Sequence, residues 1–217
     1  MSTNLTQLRK VLSKVGPLSC PNEVNLHCHT ICSDGSLTPR DLIIQATKMR
    51  IRHIAVTDHH SISAYPDMYD WLEKNRSLEE LPMLWTGIEI SCLLKKTLVH
   101  VIGLGFDLTN KSIYPYIRGE ATIGMMLNAI KVVEAIHNAG GLAILAHPAR
   151  YRISFAELIN EAYKIGFDGV ESWYDYEHSL VWKPTELICD SIEKLAKKYN
   201  LLSTCGTDTH GKYLYTR

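Results

Sequence analysis

The sequence predicts an α/β fold in which short strands alternate with helices and close into a barrel, with a metal site at the C-terminal ends of the strands. Two observations lead there. Seven short apolar segments, at 23–29, 52–58, 83–90, 97–105, 141–147, 168–173 and 201–207, are separated in several places by stretches of helical period. That is the pattern of parallel strands with helical crossovers. Almost every segment also ends in a residue able to bind a cation: His27 and His29, His59, Glu89, His100, His147, Glu171, then Asp208 and His210. An open sheet gathers its site in one crevice. Ligands from all the strands converge only if the sheet closes, as at the C-terminal face of a barrel.

The opening "MSTNLTQLRKVLSKV" sets Leu5, Leu8, Leu12 and Val15 at helical spacing and lacks the apolar core of a signal peptide. Residues 1–22 are therefore expected to form a packing helix and lead-in, and 23–217 a single domain. In "EVNLHCHTICSDGS", period two puts Val24, Leu26 and Cys28 on one strand face and Asn25, His27 and His29 on the other. Two imidazoles on one face can hold one cation between them. "TPRDLIIQATKMR" (38–50) reads as a helix capped by Thr38 with Pro39 at its first position. "HIAVTDHHS" is a β-branched strand running into Asp58, His59 and His60. One histidine at a strand end is usually a satisfied core or surface residue; two after an aspartate favour ligation.

"WTGIEIS" sets Glu89 between Ile88 and Ile90. A buried carboxylate without a cation is too costly to keep. "TLVHVIGLG" repeats the pattern with His100, and a helix is expected over 122–141, ending at Gly140. "LAILAHPARY" carries His147 at the end of an apolar run, followed by Arg150. Helices at 154–167 and 185–200 flank the strand at 168–173, and "STCGTDTHG" closes the series with Asp208 and His210.

The 217 residues are 46% hydrophobic and 21% charged, enough for a substantial core. Lys plus Arg and Asp plus Glu are 23 each, so the formal net charge is zero. This excludes the broad basic footprint of a protein that coats long nucleic acid. No apolar run approaches the roughly eighteen residues that span a membrane. Six cysteines (Cys20, Cys28, Cys32, Cys92, Cys189 and Cys205) show no paired spacing and read as free thiols of a reducing cytoplasm, the expected location.

Imidazoles and carboxylates without thiolates suit Zn, Mn or Fe. Clustered divalent ions bind phosphate oxygens, turn a bridging water into hydroxide and stabilise the leaving oxygen. No protein nucleophile is then needed. Arg150 could fork a phosphate, although a surface ion pair explains it nearly as well. The rivals are an amidohydrolase-type C–N hydrolase and a catalytically idle metal- or nucleotide-binding module.

The ordered set "HCHTICSDGS", "TDHHS", "GIEIS", "VHVIGLG", "AHPARY" and "GTDTHG" resembles the PHP (polymerase and histidinol phosphatase) family. Within it, the set is most similar to the branch of nucleoside 3′,5′-bisphosphate phosphatases and 5′–3′ exoribonucleases. The likeness runs from residue 24 to residue 211. It implies a distorted (β/α)7, TIM-like barrel and a centre of two to three divalent transition-metal ions. The implied activity is hydrolysis of phosphate esters of small molecules, nucleotides or RNA 5′ ends. It further implies that His27, His29, Glu89 and Asp208 hold one ion, that Glu89 bridges to a second held by His100 and His147, and that Asp34, His59 and His210 hold a third. Arg150 would clamp the phosphate, making Glu89, Asp208 and Arg150 the catalytic set.

That branch usually carries a helical insertion of several dozen residues between the strand ending at Gly105 and the one opening at Gly141. Here residues 106–140 alone fill the gap, and the chain stops soon after His210. An open, shallow site that discriminates weakly among substrates is expected, with the family's closing helix missing.

Overall fold

The first amphipathic stretch folds as α1 (Thr3–Leu12) in a computed structural model that describes residues 3–216. Leu8 and Leu12 are wholly buried with Val24, Leu26, Leu104 and Leu142, at about 1.5–3 kcal/mol for each buried leucine. The helix thereby caps the core at the end away from the ligand-type residues.

Two of the remaining helices start at side-chain caps. α2 (Pro39–Lys48) starts where the Thr38 hydroxyl accepts from the Asp41 backbone N. α3 (Tyr65–Lys74), which the sequence reading leaves out, buries only Tyr65, Met68 and Trp71 and has no side-chain cap. α4 (Ala129–Asn138) begins later than the expected 122, because a short 3₁₀ turn (Gly124–Leu127) precedes it and Asn128 supplies the cap. α5 (Phe155–Lys164) and α6 (Glu186–Lys198) lie where the periodicity puts them. Among the described residues no helix is long and apolar enough to cross a membrane.

Among the described residues eight strands form two sheets. β1 (Val24–Asn25), β2 (His53–Ala55) and β3 (Met83–Trp85) are parallel neighbours in that order. β4 (Gly87–Leu94), β5 (Thr97–Leu104), β6 (Leu142–Leu145), β7 (Gly169–Trp173) and β8 (Leu202–Cys205) make the second sheet. The expected strand at 83–90 is thus shared: its first part joins one sheet and, past Thr86, its second part leads the other.

This differs from a closed ring of seven parallel strands in two ways. β5 runs antiparallel to both β4 and β6, because β4 and β5 are joined by Lys95–Lys96 alone, both left-handed at φ 49° and 64°. A two-residue turn of that hand makes a hairpin, whereas parallel strands need a long crossover. The sheets also do not close by continuous ladders. They meet at two seams through the isolated bridges Cys28↔Thr209 and His59↔Glu89. At the first seam Asp208 N donates to His27 O at 2.8 Å and His29 N to Thr209 O at 3.0 Å. Both seams fall on residues that carry cation-binding side chains.

Register decides which side chains enter the site. Ser91 pairs with His100 and Glu89 with Ile102, so Glu89 and His100 share one face of the hairpin. Ile88, Ile90, Cys92, Val99 and Val101 take the opposite face and pack against Val132, Ile136, Leu158 and Ile159 of the helices. Cys28 likewise turns from the histidines, its thiol 3.2 Å from Ala55 O.

Candidate metal centre

Glu89 is the hub. Its side chain is almost completely buried, and its two oxygens meet different histidines. Oε1 lies 2.9 Å from His100 Nδ1 and 3.1 Å from His147 Nε2. Oε2 lies 3.1 Å from both His27 Nε2 and His29 Nε2, and 3.5 Å from His59 Nδ1. Asp208 faces the same pair, its Oδ1 being 3.2 Å from each of those Nε2 atoms. Asp34 stands at the rim, with its Oδ2 3.3 Å from His210 Nε2 and 3.7 Å from His59 Nε2.

All nine residues singled out by the sequence therefore converge. The ligand atoms of eight of them fall into three overlapping sets, each lying within 4.8 Å: His27, His29, Glu89 and Asp208; His29, Asp34, His59 and His210; and His59, Glu89 and His100. His147 faces the same Glu89 oxygen as His100. A cavity of about 390 Å³ opens above them, lined in addition by Arg150 and His178.

Neighbouring groups hold these side chains in place. Glycine is required twice: a Cβ at Gly206 would lie 2.2 Å from His27 Cβ, and one at Gly35 would lie 2.5 Å from the His29 carbonyl. The "CGTD" and "SDG" segments can approach the histidine strand only without side chains there. Three non-glycine residues at the strand ends, His60, His147 and Asp208, adopt left-handed backbone at φ 51°, 27° and 51°. Such strain is typical of sites whose surroundings over-determine the conformation.

The donor set fits a cation. His29 Nε2 is buried between Glu89 and Asp208 without hydrogen-bond alignment to either, and His100 Nδ1 is likewise unaligned with Glu89. These nitrogens converge on carboxylate oxygens as ligands around an ion do. Electrostatics agree. Burial would push Glu89 and Asp208 up, yet the nearby histidines, His27 foremost, hold both well below the usual carboxylate range. In return, against the penalty of burial, the carboxylates raise His27 well above its ordinary value and bring His29 up to about 9. Protons on His27 and His29 thus supply the positive charge that a divalent ion would supply. His59 is pushed down to about 4 by burial and by repulsion from His29 and His100. It is neutral and ready to ligate at ordinary pH.

Other residues take roles the sequence reading did not give them. His60 does not join its neighbour in the cavity; its Nε2 accepts from Ser91 N at 3.2 Å. Asp58 binds the loop, taking Thr30 N and Thr30 Oγ1 at 2.6 Å and Ser33 Oγ at 2.8 Å, just before Asp34. Glu171, fully buried, meets His27 Nδ1 at 2.9 Å and His147 N at 2.8 Å. Its signal was present: "DGVESW" sets a carboxylate in an apolar strand just as "TGIEIS" does. Tyr174 donates to Asp208 Oδ2 at 2.6 Å, and Arg150 Nη1 lies 3.1 Å from the same oxygen. None of the six free cysteines belongs to a ligand set among the described residues.

The sequence profile of the PHP domain matches residues 25–178. The 5′–3′ exoribonuclease Rnm of Salmonella typhimurium is 32% identical over 94 residues, 43% of this chain and 31% of that protein. The 3′,5′-nucleoside bisphosphate phosphatase of Chromobacterium violaceum is 31% identical over 84 residues, 39% of this chain and 28% of that protein. The matches thus span about a third of the length of these relatives. A structure assigned as a metal-dependent phosphoesterase of Bifidobacterium adolescentis superposes with a TM-score of 0.71 at 20% identity, covering 88% of this chain and 89% of that one. At that identity the likeness speaks for the fold.

Proposed function

The chain belongs to the PHP domain family, and from that premise we propose that it is a metal-dependent phosphoesterase acting on phosphorylated small molecules, nucleotides or RNA 5′ ends. The observation that carries this reading is the double face of Glu89, with His27 and His29 on one oxygen and His100 and His147 on the other. In it, His27, His29, Glu89 and Asp208 would hold one ion, Glu89 with His100 and His147 a second, and Asp34, His59 and His210 a third. Divalent ions bound there would supply an acidified water and positive charge against the phosphate oxygens.

The protein's own residues orient and neutralise. Glu171 fixes His27 so that Nε2 faces Glu89. Tyr174 fixes Asp208. Arg150, on the cavity wall, takes a phosphate oxygen, a task suited to a guanidinium fork. Water attacks phosphorus, the ester P–O bond breaks, and phosphate and alcohol leave. The cysteines stay outside the reaction. Burial raises Cys28 well above the usual thiol range and Cys92 up to about 12, so neither forms a thiolate at neutral pH.

Arg150 and the set around Asp34 favour phosphate over a C–N bond, and the complete donor set favours catalysis over idle binding. Elemental analysis of purified protein is expected to find two to three transition-metal ions per chain. Phosphate release is expected from nucleoside 3′,5′-bisphosphates, 5′-phosphorylated RNA or aryl phosphates. Absence of metal, together with no release on adding Mn or Zn, would overturn the reading.

A further inference from the structure

The end of the molecule away from the metal centre holds a second hollow, of about 340 Å³, within the size range of small-ligand sites. α1 and the turn after it form one wall, and the starts of β1 and β2 form the other. It shares no lining residue with the metal cavity. Backbone bonds set its frame. Glu23 N and Val24 N donate to Ser19 O at 2.8 and 3.0 Å, and Arg52 N and His53 N donate to Glu23 O at 2.9 and 3.0 Å. Val24 and His53 are partners in the parallel ladder. The helix end and both strand starts are therefore held in one register.

The charges of this hollow do not balance. Lys10 and Lys14 stand about one helical turn apart on its wall, both exposed, and neither enters an ion pair among the described residues. Like charges at that spacing repel. Arg52 comes from the strand wall, and its acidic partner Glu23 lies 3.9 Å away with both side chains well exposed. Such a pair contributes little. Three cations against one carboxylate leave two positive charges here, in a chain whose formal net charge is zero. His53 adds a donor. Trp85 Nε1, which can only donate, lies 3.3 Å from His53 Nδ1. The ring proton therefore sits on Nε2, and burial together with Arg52 holds the ring's pKa below its ordinary value, keeping it neutral. Val11, Val15 and Val24 give the wall its apolar part.

We propose that this hollow binds a small organic dianion with an apolar body, at a site separate from the metal centre and independent of the phosphoesterase reading. The ligand's two charges match the two left over on the wall. Lys10 and Lys14 are flexible point charges that close on it, and Arg52 turns from Glu23 to offer a planar fork. His53 Nε2–H donates to an anion oxygen, and the valines take the apolar body. The occupant joins α1 to the first residues of β1 and β2, the strands that lead to His27, His29 and His59. It stabilises the folded chain by linkage and takes no part in the chemistry at the far end.

The test titrates phenylphosphonate, which at about pH 8 carries nearly two charges as a phosphate ester does, into the Zn-loaded protein followed by NMR. The Trp85 indole N–H and the methyls of Val11 and Val15 are expected to shift together and to saturate by about 10 mM. Benzoate has the ring with one charge, and inorganic phosphate has the charge without an apolar body. Each is expected to bind at least about tenfold more weakly. In the double variant Lys10→Gln/Lys14→Gln the phenylphosphonate affinity is expected to fall at least about tenfold, because two cations leave the surroundings of a dianion. Both lysines are exposed, and an unmoved Trp85 indole in the free variant shows that the fold is kept. Shifts confined to residues around Glu89 would place the anion at the metal centre alone and overturn the proposal. So would the absence of a saturable shift, an affinity matched by benzoate or inorganic phosphate, or an affinity that the double variant keeps.

Discussion

Glu171 Oε1 lies 2.9 Å from His27 Nδ1, with both side chains completely buried, while its Oε2 takes the backbone N of His147 at 2.8 Å. One carboxylate thus accepts two donors and aims two of the candidate ligands. Glu171→Gln keeps the shape but offers one acceptor and one NH2, so one donor must face another. Loss of such an outer partner typically weakens metal binding about 10–100-fold. Competition against a chelator of known affinity is expected to show that loss in a folded variant. Unchanged affinity would show that Glu171 only fills space.

Glu89→Gln is expected to be more severe. Five histidines approach this carboxylate within 3.5 Å, and the amide removes the charge they share. Metal content is expected to fall by at least one ion per chain and turnover nearly to vanish. Wild-type hydrolysis in this variant would remove Glu89 from the bridging position.

Proton and metal compete for the same nitrogens, which sets a pH dependence. His29 rises from its ordinary 6.5 to about 9 in the metal-free fold. A raised pKa adds stability that is complete below 6.5 and is lost as pH rises through about 9. The chelated protein is therefore expected to melt at lower temperature at pH 9.5 than at pH 7. Metal affinity runs the other way. Binding must expel the His29 proton, so log affinity is expected to rise by about one per pH unit between 7 and 9 for that proton. A flat affinity over that range would show that His29 binds no proton there.

Arg150 Nη1 sits 3.1 Å from Asp208 Oδ2 and 3.3 Å from the Tyr174 hydroxyl, at the cavity wall. Arg150→Ala is expected to lower kcat/KM about equally for every phosphate ester, by about 10–100-fold, because all share the group it would hold. Lysine should restore little, since a point charge cannot replace the fork. Loss confined to one substrate would make Arg150 a selectivity residue instead.

Asp168 gathers Arg9, His137 Nε2 at 2.7 Å and Ala143 N at 3.0 Å, tying α1 to the sheet. Burial opposes its charge, but these donors hold the carboxyl below its ordinary value. The stability it adds is present above about pH 4 and is lost as pH falls further. Arg9 is about one-third exposed, so Arg9→Ala is expected to cost only about 1 kcal/mol, a fall of about 2–4 °C in Tm. No change would leave the helix anchored by its apolar contacts, Leu8 and Leu12 foremost.

The sequence by itself determined the inventory of the site and the order of its strands. Isolated polar residues in apolar runs are legible because burial makes them costly without a partner. His27, His29, Glu89, His100, His147 and Asp208 announce themselves this way, and the cap residue Thr38 marks a helix start for an equally local reason. What only the tertiary structure decided is how strands pair and which polar residue faces which. Lys95–Lys96 turned β5 antiparallel, the segment at 83–90 divided between two sheets, and the ladders ended at two seams. His59 and His60 are adjacent and chemically identical, yet one enters the cavity and the other meets Ser91. Glu89 and Glu171 sit in nearly the same local pattern, yet one gathers five histidines and the other supports two of them from behind. A side chain's partners depend on contacts between residues far apart in the chain, and no local period encodes those.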